Sequence, residues 1–241
     1  MANISRQELK SDEFVSGVDA AFEFYLQHQK QILTILVVVV VVVASSYGVY
    51  AWNHNRNQQA STELSTGLDT LHAPILQKGQ TAPPGVETFA NEQDRARSAE
   101  PQFQKVIADY GSTSAGKIAR FYLGLTQVDL QQTQQAESTL QQAIQQGDDA
   151  VKALARNALA NLYISEGKTS QARQMLQDLA KQNSPSVPKS VALTELAGLE
   201  KSSDPAAAAR VYKQLSQEYP NTSTAQQAEQ ELASLPQAAQ K

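Results

Sequence analysis

Hydrophobic and polar positions divide the chain into two regimes. From Ile32 to Trp52 it reads ILTILVVVVVVVASSYGVYAW, 21 residues without a charge, including seven consecutive valines from Val37 to Val43. At about 1.5 Å per residue a helix of this length spans roughly 30 Å, the hydrocarbon thickness of a bilayer. Valine is a poor helix former in water, but in lipid the helix is favoured because it satisfies every backbone group internally. Lys30 and Arg56 bracket the run. Tyr47, Tyr50 and Trp52 gather near its C-terminal end, where amphipathic rings favour the headgroup layer. The pattern predicts a transmembrane anchor over 32–52. The length of the uncharged run argues against a buried core helix. Against a cleaved signal peptide stand the 31 preceding residues, which are net acidic where such a peptide is short and basic.

Residues 1–31 form a tail. Ser11-Asp12-Glu13 has the look of a helix start, and Phe14, Val18, Ala21, Phe22 and Tyr25 follow at helical spacing. Two readings stand for this short amphipathic helix: it lies on the membrane face or a partner, or it simply extends the anchor helix. Arg6, Lys10 and Lys30 precede the span, and Arg56 and Lys78 follow within thirty residues. Three cations against two is a slight bias toward a cytoplasmic N-terminus, because orientation follows Lys and Arg close to the span.

From residue 53 to 241 the chain is polar and helical in character. A 36-residue period runs through it. Ala136, Ala172 and Ala208 are in register, followed four residues on by Leu140, Leu176 and Tyr212, and seven on by Ala143, Leu179 and Leu215. Each set is one stripe of an amphipathic helix. Ahead of these lie the pairs Leu123-Gly124, Leu159-Ala160 and Leu196-Ala197, the last fitting if one turn is a residue shorter. Small residues at Gly124, Ala136, Ala160 and Ala172 would let two antiparallel helices approach closely, and Gly167 suits a chain reversal. A second echo, at an offset of 109, sets Phe103, Val106, Tyr110 and Thr113 against Tyr212, Leu215, Tyr219 and Thr222. Both segments end a helix and offer a Ser or Thr cap to the next one. Asp204-Pro205 is a further start signal. Ala60, Leu64, Leu68 and Leu71, with Ala99, Phe103, Val106 and Tyr110, predict an earlier hairpin split by a loop insertion at about 73–90. Thr224 to Leu235 predicts a capping helix.

This spacing resembles the tetratricopeptide repeat, a helix–turn–helix unit of about 34 residues. The match is best over 153–185, partial over 117–148 and looser over 189–220, and the consensus Trp is missing from all three. The fold expected is all-α: a single N-terminal transmembrane helix followed by a tetratricopeptide-like helical-hairpin solenoid. The whole layout, a short tail, one anchor and an interrupted first repeat, resembles the bacterial YfgM-like family, whose domain is shared with the ancillary SecYEG translocon subunit and the cell-division coordinator CpoB. The poly-valine run departs from the more mixed anchors of that family. The resemblance implies an inner-membrane protein with a cytoplasmic N-terminus and a periplasmic repeat domain. Its partners would be proteins: translocon subunits, periplasmic chaperones or exported clients, with lipid met by the one helix. The alternatives are a scaffold for envelope assembly or division, and a holdase that binds unfolded proteins directly.

Alignment to the repeat pattern places Ile118, Phe121, Leu125 and Val128 on the groove side of one unit, and Leu154, Asn157, Asn161 and Ile164 on that of the next. Apolar contacts beside amides suit an extended segment. The competing reading packs these apolar residues on the preceding repeat. Of a Lys/Asn clamp for carboxylate termini only Asn161 matches. Ala44 and Gly48 form a small-xxx-small pair fit for a neighbouring transmembrane helix.

Composition narrows the rest. The chain has no Cys, which excludes disulfides and Cys-ligated metals, and His28, His54 and His72 are far apart. The net charge of −4 argues against a nucleic-acid partner. No nucleophile constellation, phosphate loop or metal spacing appears, so no catalytic residue, cofactor, metal or small-molecule substrate is expected. The mean hydropathy of −0.40 averages the anchor with a Gln-rich domain.

Overall fold

A computed structural model describes residues 6–76 and 84–236, without the side chains of residues 6–25 and 32. Among the described residues there are nine helices: α1 (Arg6–His72), α2 (Glu92–Tyr110), α3 (Ser114–Asp129), α4 (Thr133–Gln146), α5 (Asp149–Ser165), α6 (Thr169–Gln182), α7 (Lys189–Ser203), α8 (Pro205–Glu218) and α9 (Ser223–Ser234). The β pairing among these residues is confined to two isolated bridges, Ile75 with Phe89 and Ser184 with Val187. The chain divides into two compact units, Met1–Asn55 and Arg56–Lys241.

In the first unit the backbone is already helical at Arg6, so Ser11-Asp12-Glu13 lies inside α1 and does not begin it. The stripe from Phe14 to Tyr25 lies outside the described side chains. Leu33, Ile35 and every residue from Leu36 to Trp52 are exposed around the whole circumference of the helix. Two hydroxyls in the run are bonded inside it. Thr34 Oγ1 donates to the Lys30 carbonyl at 2.8 Å and Ser46 Oγ to the Val42 carbonyl at 2.7 Å. This back-bonding lets a hydroxyl sit in an apolar surrounding without an unmet donor. The helix is long and apolar enough to cross a membrane.

In the second unit the helices pair as hairpins. The last turns of α1 pack on α2, with Ala60 and Leu64 against Ala99, Phe103 and Val106. Then α3 pairs with α4, α5 with α6 and α7 with α8, and α9 closes the end against α8. The 36-residue period is the core itself. Ala136, Ala172 and Ala208 are fully buried, as are Leu140, Leu176, Leu179 and Ala143 within about a per cent. Each buried Leu contributes about 1.5–3 kcal/mol. Close approach is set by small residues. A methyl group on Gly124 of α3 would lie 2.6 Å from Leu140 Cδ2 of α4, inside contact distance.

The helix ends follow local chemistry. Thr113 Oγ1 accepts from the Gly116 amide and donates to the Tyr110 carbonyl, and Thr222 repeats this with Ala225 and Tyr219. Asp148 caps α5 and Asp204 caps α8, the latter with Pro205 at the first helical position. Gly167 closes α5 at φ +72°, its amide donating to the Ile164 carbonyl while the Lys168 amide donates to Tyr163. Thirty-six residues earlier Gln131 adopts the same left-handed conformation, φ +60°, with the matching bonds to Val128 and Gln127. The α7–α8 turn is the short one, a single Asp204 where α5 and α6 are joined by three residues. The α6–α7 connection is the long one, six residues held by Asn183 at φ 45° and the Ser184–Val187 bridge. The base of the 73–90 loop is closed by two bonds, Leu76 amide to Phe89 carbonyl at 2.9 Å and Phe89 amide to Pro74 carbonyl at 3.0 Å. Pro101 stands inside α2 on an exposed position, where its ring meets solvent.

Ion pairs join one hairpin to the next along the unit. Glu63 pairs with Lys105, Glu137 with Lys168, Arg173 with Glu200, Lys189 with Glu218 and Lys201 with Glu231. Most are half exposed and contribute little. Glu200 differs because its side chain is only 5% exposed. Arg173 holds it through Nε and through Nη2 at 2.8 Å, and Ser203 Oγ adds a third bond. These bonds, those of Arg173 foremost, hold the Glu200 carboxyl below the usual carboxylate range.

Three substitutions test this account. Gly124→Ala should destabilise by about 1–3 kcal/mol, because the methyl group forces Leu140 off its position; urea denaturation reads this. Gln131→Gly should raise stability by about 0.5–1 kcal/mol, since glycine reaches positive φ without steric cost; an unchanged or lower midpoint would contradict it. Arg173→Ala leaves the Glu200 carboxylate buried and unpaired. The loss should be about 2–3 kcal/mol, short of the value for a fully buried pair because Arg173 keeps a third of its side chain in water. Glu200 has a depressed folded pKa, so the stability it supplies is complete above the usual carboxylate range and lost as pH falls through the folded value. The gap between wild type and Arg173→Ala should therefore narrow in acid.

Candidate protein-binding groove

The first helices of successive hairpins, α3, α5 and α7, lie side by side. α3 touches α5 directly, and Asn157 of α5 reaches across to Glu195 of α7. Their shared face holds the residues singled out from the repeat pattern.

The apolar members are mostly engaged. Phe121 of α3 is 8% exposed and belongs to the core built from Leu140, Val151, Ala155 and Leu159. Ile118, Leu125, Val128 and Leu154 are partly buried against the same core. These side chains join one hairpin to the next. Asn157 is half buried, while Asn161 and Ile164 are exposed, Ile164 at 37%. In the first unit Ala44 and Gly48 are exposed, and a methyl group on Gly48 would meet no atom within 4 Å.

What the face brings together is polar. Asn157 Nδ2 donates to Glu195 Oε1 at 3.4 Å, and the Asn161 side chain also bonds to Glu195. Glu195 was not visible to the repeat register. It lies 38 residues after Asn157, because the long α6–α7 connection shifts the third unit. The signal available was a lone acid in the apolar run Val191-Ala192-Leu193-Thr194-Glu195-Leu196-Ala197. Burial pushes the Glu195 carboxyl above its ordinary range, and the amides of Asn157 and Asn161 pull the other way without cancelling it. Two acceptors remain without a hydrogen-bond partner among the described residues, Glu195 Oε2 and Asn157 Oδ1, both shielded at the atom itself. The direction of the Asn157 amide is fixed by its bond to the carboxylate, which requires the nitrogen on that side. The arrangement is thus a pair of shielded acceptors with two amide donors already committed. Val191, one turn before Glu195, and Ile164, about one turn after Asn161, add exposed apolar area at the two ends.

A second cleft, of about 450 Å³, lies between the N-terminal turns of α5 and the end of α6, lined by Asp149, Lys152, Arg156, Gln182, Asn183, Ser184 and Pro185. Its cations are held internally: Arg156 Nη1 donates to Gln182 Oε1 at 2.7 Å, and Lys152 lies 3.8 Å from Asp149.

The family model for the tetratricopeptide repeat-like domain matches residues 23–187, a span that takes in the apolar run of α1 and the hairpins through α6. Two solved structures are similar in arrangement: a putative kinesin light chain from Podosopora anserina with nearly identical TPR-like repeats, and a single-substitution variant of that protein. Each is 13% identical with a TM-score of 0.48, over 75% of this chain and 83% and 82% of theirs respectively. No curated protein matches the chain. With well over half of its length matched, the chain belongs to the tetratricopeptide repeat-like domain family.

Proposed function

We propose that the protein is a membrane-anchored adaptor that binds other proteins through its repeat domain. Tetratricopeptide-like repeats imply protein partners, and the observation that carries the reading is their presence in one chain with an apolar helix exposed on every side from Leu33 to Trp52. Exposed apolar area of that extent is unfavourable in water and favourable in lipid. In this reading residues 32–52 cross the membrane, 1–31 form a cytoplasmic tail and 53–241 stand in the periplasm. Ala44 and Gly48 offer a neighbouring transmembrane helix a close approach.

The finer assignment rests on the layout, whose likeness to the YfgM-like family points to the export channel. The adaptor would assist proteins leaving the translocon and pass them to periplasmic chaperones. The match of the family model across both the apolar run and the hairpins supports treating anchor and repeats as one functional unit.

Two experiments on the full chain in its native membrane test this. Protease added to intact spheroplasts should digest the repeat domain while the N-terminal tail survives; digestion only after lysis would overturn the orientation. A photo-crosslinker at Asn161, which is exposed, should capture export-channel subunits or their clients. Reproducible capture of division proteins alone would replace export with the scaffold role.

A further inference from the structure

The proposed adaptor groove carries a polarity. Its central group is the Glu195 carboxylate, held between α5 and α7 by the amides of Asn157 and Asn161. Among the described residues no cation of the protein contributes to its electrostatic surroundings, whereas the buried carboxylate of Glu200 has Arg173. A shielded anion without a counter-charge is costly in the free protein, and so is a shielded carbonyl without a donor. Glu195 Oε2 and Asn157 Oδ1 are such a pair, adjacent through the Asn157–Glu195 bond. Both lack the same thing, a hydrogen-bond donor, and the carboxylate gains most from one that is also positive.

We propose that the α5–α7 face binds an extended peptide segment through a Lys or Arg side chain, whose cationic head donates to Glu195 Oε2 and Asn157 Oδ1. The inference rests on the adaptor reading of the groove and adds the chemistry of what it selects. The ammonium of Lys has three donors and the guanidinium five, enough for both acceptors at once. The aliphatic stem of either side chain suits the exposed apolar area of Val191 and Ile164 at the two ends of the face. A carboxylate terminus is the opposite case, because it would bring a second negative charge against Glu195. The burial that raises the Glu195 pKa is relieved in the complex, where the charged form gains its partner.

The test uses the full chain in detergent micelles. The probes are N-acetylated, C-amidated nonapeptides with degenerate flanks and a central Lys, acetyl-Lys, Ala or Glu, plus a fifth pool that ends in a free carboxylate. Pools are incubated with immobilised protein and the retained peptides counted by mass spectrometry. The Lys pool should be retained roughly tenfold over the acetyl-Lys pool, the factor one charge-assisted hydrogen bond carries, and Glu should rank last. Glu195→Gln keeps the shape and the amide bonds and should flatten the ranking, with an unchanged melting temperature as evidence of folding. Asn157→Asp adds a second anion and should sharpen it. Equal retention of Lys and acetyl-Lys pools, or a Lys preference that survives Glu195→Gln, overturns the inference while leaving peptide binding in place. Failure of every pool to bind overturns the groove reading itself.

Discussion

Every hairpin in the repeat domain depends on how closely its two helices approach. The distance is fixed by a small residue on the contact line: Gly124 against Leu140 in one hairpin, Ala160 and Ala172 in the next, Ala197 and Ala208 in the third, all with little or no exposed surface. A helix pair held this close has a thin core. It has room for alanine and for one leucine or tyrosine per turn, at Leu140, Leu176 and Tyr212. The larger apolar side chains must go elsewhere, and they go between hairpins. Phe121, Ile118 and Leu125 pack against the following unit, where Val151, Ala155 and Leu159 receive them. Stability in such an array is a sum of hairpin and interface contributions. Gly124 and Arg173 probe these two contributions separately.

This division of apolar residues decides what is left for recognition. Side chains that hold the hairpins together are not free to hold a partner. The face formed by α3, α5 and α7 is therefore apolar in composition and polar in what it offers: Asn161, the half-buried Asn157 and the carboxylate of Glu195. The contrast with Glu200 is instructive. Both acids sit on α7 five residues apart, and both bond to residues of the preceding hairpin. Glu200 meets an arginine and is depressed, while Glu195 meets two amides and is raised. The first is a fastening between hairpins, complete in itself. The second is half of an interaction.

Much of this was legible in the residues. Periodicity at 36 positions located the buried alanines, because a core face recurs with the repeat. Thr113, Thr222 and Asp204 announced helix starts, because capping needs a short acceptor side chain at that place. What escaped was whatever broke the period or lay beneath it. Gln131 takes the place of Gly167 in left-handed backbone without looking like a turn residue. The start of α1 lay upstream of the polar trio at Ser11, because capping residues are also common on the outside of a long helix. Glu195 was hidden by the six-residue connection after α6, which displaces the third unit's first helix from register. The groove face was predicted as a surface, but periodicity does not say which side of an amphipathic helix meets solvent and which meets the next repeat. That depends on the neighbour's volume, here Leu159 and Val151 filling the space beneath Phe121.

An unpartnered carboxylate does more for selectivity than an apolar pocket of the same size. A hydrophobic face gains from almost any apolar segment and discriminates weakly among them. A shielded acceptor pair penalises every occupant that fails to supply donors, because it keeps the acceptors from water and returns nothing. An acidic or carboxylate-terminated segment is penalised twice, by lost solvation and by repulsion from Glu195. The cost already exists in the free domain, where it is sustained by the alanine-lined hairpins on either side. Binding energy is then realised as relief of that cost, and it is realised only by a segment with the right charge. The same repeat architecture that leaves few apolar side chains for a partner thus leaves a polarity that can choose one.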